Sequence, residues 1–152
     1  MVEEALEIRR RIYGEMHLET AQAYDFLGGR LSMEPDRLEE AVQVRAKALE
    51  IRSQLLPPDH HMLAVSHNNY GTELDLVGDR EGATRHLELA VEIWREQTDP
   101  IAKDLPSALN NLALHYWDSD PDRAAELLRD AIALDEQLGI EGMHYANLLN
   151  SL

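Results

Sequence analysis

The sequence predicts an all-α fold in which helix pairs stack side by side into a right-handed superhelical solenoid. Three observations predict it. Four similar phrases, ALEIRR from Ala5, ALEIRS from Ala48, AVEIWR from Ala90 and AIALDE from Ala131, recur at spacings of 43, 42 and 41 residues, and self-similarity at a nearly fixed period marks a stacked-repeat architecture. Between the phrases, apolar and small residues recur in steps of three, one and three, which places them on one helix face. No segment reads convincingly as a strand.

The first element, 2–13, carries the first phrase and is ended by Gly14; glycine and proline punctuate between helices throughout. Three segments that align with one another follow the linkers. They carry Tyr24, Leu27, Gly28 and Leu31 in 18–33; His67, Tyr70, Gly71 and Leu74 in 60–77; and Leu109, Leu112, Ala113 and Tyr116 in 102–117. These are the A helices, and the small residue in each set lets another helix approach closely. After each comes a turn, EPDRLEEA, GDREGA or DPDRAA, where Pro35, Pro121, Asp36, Asp79 and Asp120 suit a helix start. The B helices follow at 36–56, 80–97 and 121–138. Ala41 and Ala48, Ala83 and Ala90, and Ala124 and Ala131 each stand seven residues apart on one stripe. A last A-type helix is expected at 142–152. The domain organisation is therefore one solenoid over 1–152, with full repeats at 18–56, 60–97 and 102–138 and a half repeat at each end.

A motif separates this architecture from other repeats of similar period. Leu-Gly, Tyr-Gly or Leu-Ala in helix A with paired alanines in helix B resembles the tetratricopeptide repeat. NNYG and NNLA, the ALEIR phrase, and the linkers YGEMHLETA and LPPDHHMLA resemble its long-helix variant, as in kinesin light chain. The resemblance covers essentially the whole chain. It implies an interaction scaffold with a concave groove lined by A helices, in which groove asparagines contact bound peptide; Asn68 and Asn110 stand at the matching positions. Two departures stand out: Asp25-Phe26 replaces the Asn-Asn pair in the first repeat, and the third linker, TDPIAKDLP, lacks the glycine and histidine.

Composition narrows the partners. With 152 residues, 44% of them hydrophobic, the chain has enough apolar material for a core, and a formal net charge of −15 disfavours nucleic acid and anionic membrane surfaces. There is no cysteine, no apolar stretch of spanning length and no signal-like start, so a cytoplasmic location is expected.

The stripe opposite each A-helix core face defines the candidate groove: Asp25, Gly29 and Ser32; Asn68, Thr72 and Asp75; Asn110, Leu114 and Trp117. An amide supplies both donor and acceptor to an extended backbone, and an exposed Trp117 suits an anchor. Asn69 and Asn111 are expected to hold the structure, and Trp94 to pack. Because the trios hold Asp25 and Asp75 but no lysine or arginine, a basic or mixed apolar protein or peptide segment is the expected partner.

Catalysis and cofactors find no motif. The chain has no Gly-rich phosphate loop and no nucleophile signature. His17 and His60 fall at equivalent linker positions, and His86 and His115 have no partner at a recognisable metal-ligand spacing. No metal or other cofactor is expected, and no enzymatic activity. Acidic side chains read as solvated faces with ordinary helix pairs such as Glu7 with Arg11. Two further roles are compatible with the pattern. The unpaired helices at the ends, with Ala5, Leu6, Ile8 and Ile12 at one and Tyr145, Leu148, Leu149 and Leu152 at the other, are expected if the chain is an excerpt of a longer array; the alternative, and one such role, is head-to-tail self-association through them. The second is the sensor part of a larger signalling protein.

Overall fold

The computed structural model describes residues 2–97 and 104–139. Among these, seven α-helices follow in order, with no strand: α1 (Val2–Tyr13), α2 (Leu18–Leu31), α3 (Leu38–Leu55), α4 (His61–Leu76), α5 (Arg80–Arg95), α6 (Leu105–Tyr116) and α7 (Pro121–Leu138). A 3-10 turn, Pro35–Arg37, leads into α3. The expected helix at 142–152 lies outside the described residues. The helices stand within a few residues of the expected spans; the start of the 36–56 segment is the exception, being 3-10 rather than α.

Each A helix packs against the B helix that follows it, α2 on α3, α4 on α5 and α6 on α7, and α1, α3 and α5 each touch the A helix after them. The packing follows from small residues at fixed places. Ala41, Ala48, Ala83, Ala90, Ala124 and Ala131 are fully buried, so neighbouring backbones close on the B helices there. Gly71 is needed for the same reason: a Cβ on it would stand 2.9 Å from Leu87 Cγ and 3.1 Å from the Leu87 backbone nitrogen.

Local chemistry sets the helix starts. The side chains of Asp79 and Asp120 accept from the backbone N–H of Gly82 and Arg123, which satisfies donors that an isolated helix start leaves open. The repeat histidines have the same task. His17 Nδ1 accepts from the N–H of Glu19, and His60 Nδ1 from that of Met62, at 3.1 Å in both cases. Gly14 turns the chain ahead of the first of these caps at φ +85°, where a side chain would be strained.

The apolar core is in two parts. One cluster joins Leu6, Ala23, Leu27, Leu31 and Ala41 of α1, α2 and the start of α3. The other runs from Leu49 through α4, α5 and α6 to Ala131, and includes Trp94, Leu109, Leu112 and Leu128. Leu6, expected to be exposed, is instead 7% accessible against α2, whereas Ile8 and Ile12 of the same helix are 50% and 65% accessible. Glu7 pairs with Arg10, not Arg11, at 2.7 Å.

Candidate functional site

On the A-helix face, between α2 and α4, lies a cavity of about 590 Å³. Gln22, Asp25, Phe26 and Gly29 of α2 form one wall, and Met62, Val65 and Asn69 of α4 the other. Its floor is Arg45 and Arg52, which reach through from α3. Phe26 on its wall is 61% accessible, and beyond the cavity Met33, Leu76, Leu114 and Trp117, in or just after α2, α4 and α6, are 75%, 57%, 54% and 38% accessible.

The floor holds a dense charge network. Arg45 Nη1 donates to Asp25 Oδ1 at 3.2 Å and Arg45 Nε to Glu73 Oε1 at 3.4 Å. Arg52 Nη1 donates to Ser66 Oγ and pairs with Asp25 Oδ2, while Ser32 Oγ donates to Glu73 Oε1. The side chains of Arg45, Asp25, Glu73 and Arg52 are only 12%, 13%, 5% and 4% accessible. Two cations thus balance two carboxylates, as burial of charge requires.

The sequence-derived stripe is distributed as follows. Asp25 lies at the cavity but is held by both arginines, so it offers no free charge; the expectation of a groove without arginine is corrected by Arg45 and Arg52 arriving from a B helix. Gly29 lines the cavity. Ser32 is spent on Glu73 and on the carbonyl of Gly28. Asn68 Oδ1 accepts from Asn111 Nδ2 at 3.1 Å, which ties α4 to α6, while Asn69 rather than Asn68 reaches the cavity. Thr72 is exposed, its hydroxyl donating to the Asn68 carbonyl. Asp75 accepts from His115 Nδ1 at 2.8 Å. Asn110 is half-buried, and Leu114 and Trp117 are exposed. Trp94 is buried in the larger core cluster.

Two histidine pairings were missed by reasoning from spacing. His115, 3% accessible, lies between Asp75 and Thr84, whose Oγ1 is 2.7 Å from Nε2. The order hydroxyl, imidazole, carboxylate is that of a nucleophilic triad, yet the Thr84 hydroxyl also lies 2.9 Å from the Arg80 carbonyl and none of the three lines the cavity. What the chain does is stitch α4, α5 and α6 together. His67 and His86 stack with Nδ1 atoms 2.8 Å apart, and Tyr70 meets His86 edge-on. Burial, followed by the neighbouring His86, pushes His67 down to about 4, and burial followed by Arg85 lowers His86. The repeat itself carries the signal for this pair: His67 and His86 occupy the places of Tyr24 and Val44 in the first repeat and of Leu109 and Leu127 in the third. No group of three or more metal-ligating side chains occurs among the described residues. None of their helices is long and apolar enough to cross a membrane.

Comparison with known proteins places this geometry. Residues 33–96 match the family model for the tetratricopeptide repeat. Along its whole length the chain is 24% identical to a clustered mitochondria protein homolog of Coccidioides immitis, covering 12% of that protein. Over 75% of its length it is 26% identical to the Aspergillus oryzae homolog, covering 9%. The chain therefore spans about a tenth of the curated relatives it matches. Among solved structures it superposes on BtubC (BKLC) from P. vanneervenii with a TM-score of 0.82 at 21% identity, covering 93% of this chain and 57% of that one. Kinesin light chain nearly identical TPR-like repeats of Podosopora anserina give 0.77 at 18% identity, with 99% and 70% covered. RapI gives 0.75 at 24%, with 91% and 48% covered.

Proposed function

We propose that this chain, an all-α solenoid whose residues 33–96 match the tetratricopeptide repeat, is a non-enzymatic interaction module that seats a peptide or protein segment along its A-helix face. One observation carries the reading: the cavity between α2 and α4 has Phe26 on its wall, with Met33, Leu76, Leu114 and Trp117 beyond it in or just after α2, α4 and α6, all exposed. Exposed aromatic and apolar side chains beside a concavity are what a peptide anchor needs.

The preferred partner is basic or mixed apolar. The formal net charge of −15 attracts basic segments, and the floor arginines are already balanced by Asp25 and Glu73, so they do not reverse that preference. The test is a displayed library of short peptides panned against the chain, with tryptophan fluorescence as the second readout, since Trp117 is the exposed one of the two tryptophans. Recovery of basic or apolar sequences whose binding is lost in Phe26→Ala and Trp117→Ala supports the reading. Selection of acidic peptides, or binding indifferent to both substitutions, contradicts it.

A second reading, head-to-tail joining, is favoured by the outward stripe of α1, where Ile8 and Ile12 are exposed. Molar mass by light scattering that rises with concentration, and stops rising in Ile12→Glu, supports it; a constant mass contradicts it.

A further inference from the structure

We infer that the solenoid is two packing units joined by a charged seam between α2 and α4, and that the N-terminal unit comes apart at this seam and unfolds as one step while the second unit stays folded. The N-terminal unit is α1, α2 and the first half of α3; the second runs from Leu49 to α7.

The first observation is the divided core. The two apolar clusters share no residue, and the place where they would merge is occupied by Asp25, Arg45, Arg52, Ser32, Ser66 and Glu73. Ala48 and Ile51 of α3 are fully buried but join neither cluster.

The second observation is internal to the sequence. The next joint along the solenoid has Asn68, Asp75, Leu87, Trp94, Ala108 and His115 at the positions of Asp25, Ser32, Arg45, Arg52, Ser66 and Glu73. Of these, Leu87, Trp94 and Ala108 are buried within one continuous cluster. One joint is thus apolar on its B-helix side, the dry joint, though it also holds the Asn68–Asn111 and Asp75–His115 hydrogen bonds, and the other is ionic. Repeat arrays are stable as a sum of units and interfaces, so interfaces of different composition open at different cost. Apolar surface contributes fully to the dry joint, while at the ionic one much of the Coulomb attraction is offset by desolvation.

The third observation is incomplete satisfaction. Arg52 Nε and Glu73 Oε2 are buried without a hydrogen-bond partner, two such atoms against the single Trp94 Nε1 at the other joint, and such groups regain hydration as soon as the joint parts. The cavity stands directly above, so water has a path to the network. A segment seated in that cavity would touch both α2 and α4 and so bridge the two units.

Hydrogen exchange followed by mass spectrometry on the intact chain tests this, at low and at about 1 M salt. The expected profile has amides of α1 and α2 sharing one protection level, about tenfold or more below that of α4 to α6, with the step falling within α3. High salt widens the step, because it weakens the ionic joint and strengthens apolar contact. Equal protection from α2 through α6, or a graded decline toward α1 with no shared level, overturns the inference. Transplanting the other joint, Asp25→Asn, Ser32→Asp, Arg45→Leu, Arg52→Trp, Ser66→Ala and Glu73→His together, is expected to remove the step. A folded transplant that retains it also overturns the inference. Should the transplant not fold, the profile of the unaltered chain and its salt response decide alone.

Discussion

Acid should loosen this protein through one pair of rings. His67 and His86 face each other with their Nδ1 atoms 2.8 Å apart, a distance at which one nitrogen donates and its partner accepts. The pair therefore excludes a second proton, and His67 is held neutral down to about 4 against an ordinary value of 6.5. The sign follows from linkage. The unfolded chain takes up a proton near pH 6.5 that the native chain refuses until near pH 4, so the contribution is intact above pH 6.5 and is lost as pH falls through that window. Fully buried, such a depression corresponds to about 3 kcal/mol. His67 keeps some contact with solvent, and screening reduces this to about 1–2 kcal/mol, or roughly 2–6 °C in melting temperature for a chain of this size. The third repeat supplies the comparison: Leu109 and Leu127 stand at the same two places and are buried. Thermal unfolding followed by circular dichroism should be run on the unaltered chain and on His67→Leu/His86→Leu at pH 7 and pH 4.5. Carboxylates titrate in both, so only the difference between them reports on the rings. The double variant should lose less stability on acidification by about 1 kcal/mol or more; equal losses would refute the reasoning.

Further expectations concern single positions. Arg45→Leu copies Leu87 yet takes the cation away from buried Glu73, and should cost about 3–5 kcal/mol in urea unfolding; adding Glu73→Gln should restore a large part. Gly71→Ala should destabilise by about 1–3 kcal/mol, because Leu87 backbone lies in the way. Gly28→Ala should cost a similar amount, since the added Cβ would stand 2.8–2.9 Å from Arg45 Nε, Cδ and Cγ, and that side chain is held by Asp25 and Glu73. Asp120→Ala should lower stability by about 1 kcal/mol through loss of the α7 cap, read as a shifted urea midpoint with unchanged slope. Trp117→Ala should leave the melting temperature within about 1–2 °C while weakening selected peptides in a fluorescence or calorimetric titration.

Much of the fold was legible because repeats write local rules several times over. Gly28, Gly71 and Ala113 each appear one step after a large residue, and the paired alanines of the B helices define their stripe without any tertiary knowledge. The aspartates before α5 and α7 read as caps and are caps. The site was less legible. Asp25 looks like a solvent-facing acid on a helical wheel, but its partners lie 20 and 27 residues onward on another helix, and no periodicity within α2 reports them. Asn68 and Asn69 differ by a rotation of about 100°, enough to send one into the α4–α6 contact and the other to the cavity. His115 finds Asp75 only through the stacking of successive A helices. In each case, laying the repeats over one another was the available signal: an arginine where the sister repeats have leucine, and a histidine pair where they have Tyr24 with Val44 or Leu109 with Leu127.

The divided core also bears on how the chain carries load. Were the solenoid drawn out along its axis, the ionic joint would part over a short distance, since ion pairs act at close range and exposed charges are hydrated at once. The apolar cluster from Leu49 to Ala131 would resist further, because separating its helices means wetting a continuous surface. Such a chain yields first by a small extension at one place, with most of its length still folded, and springs back when the pull is released.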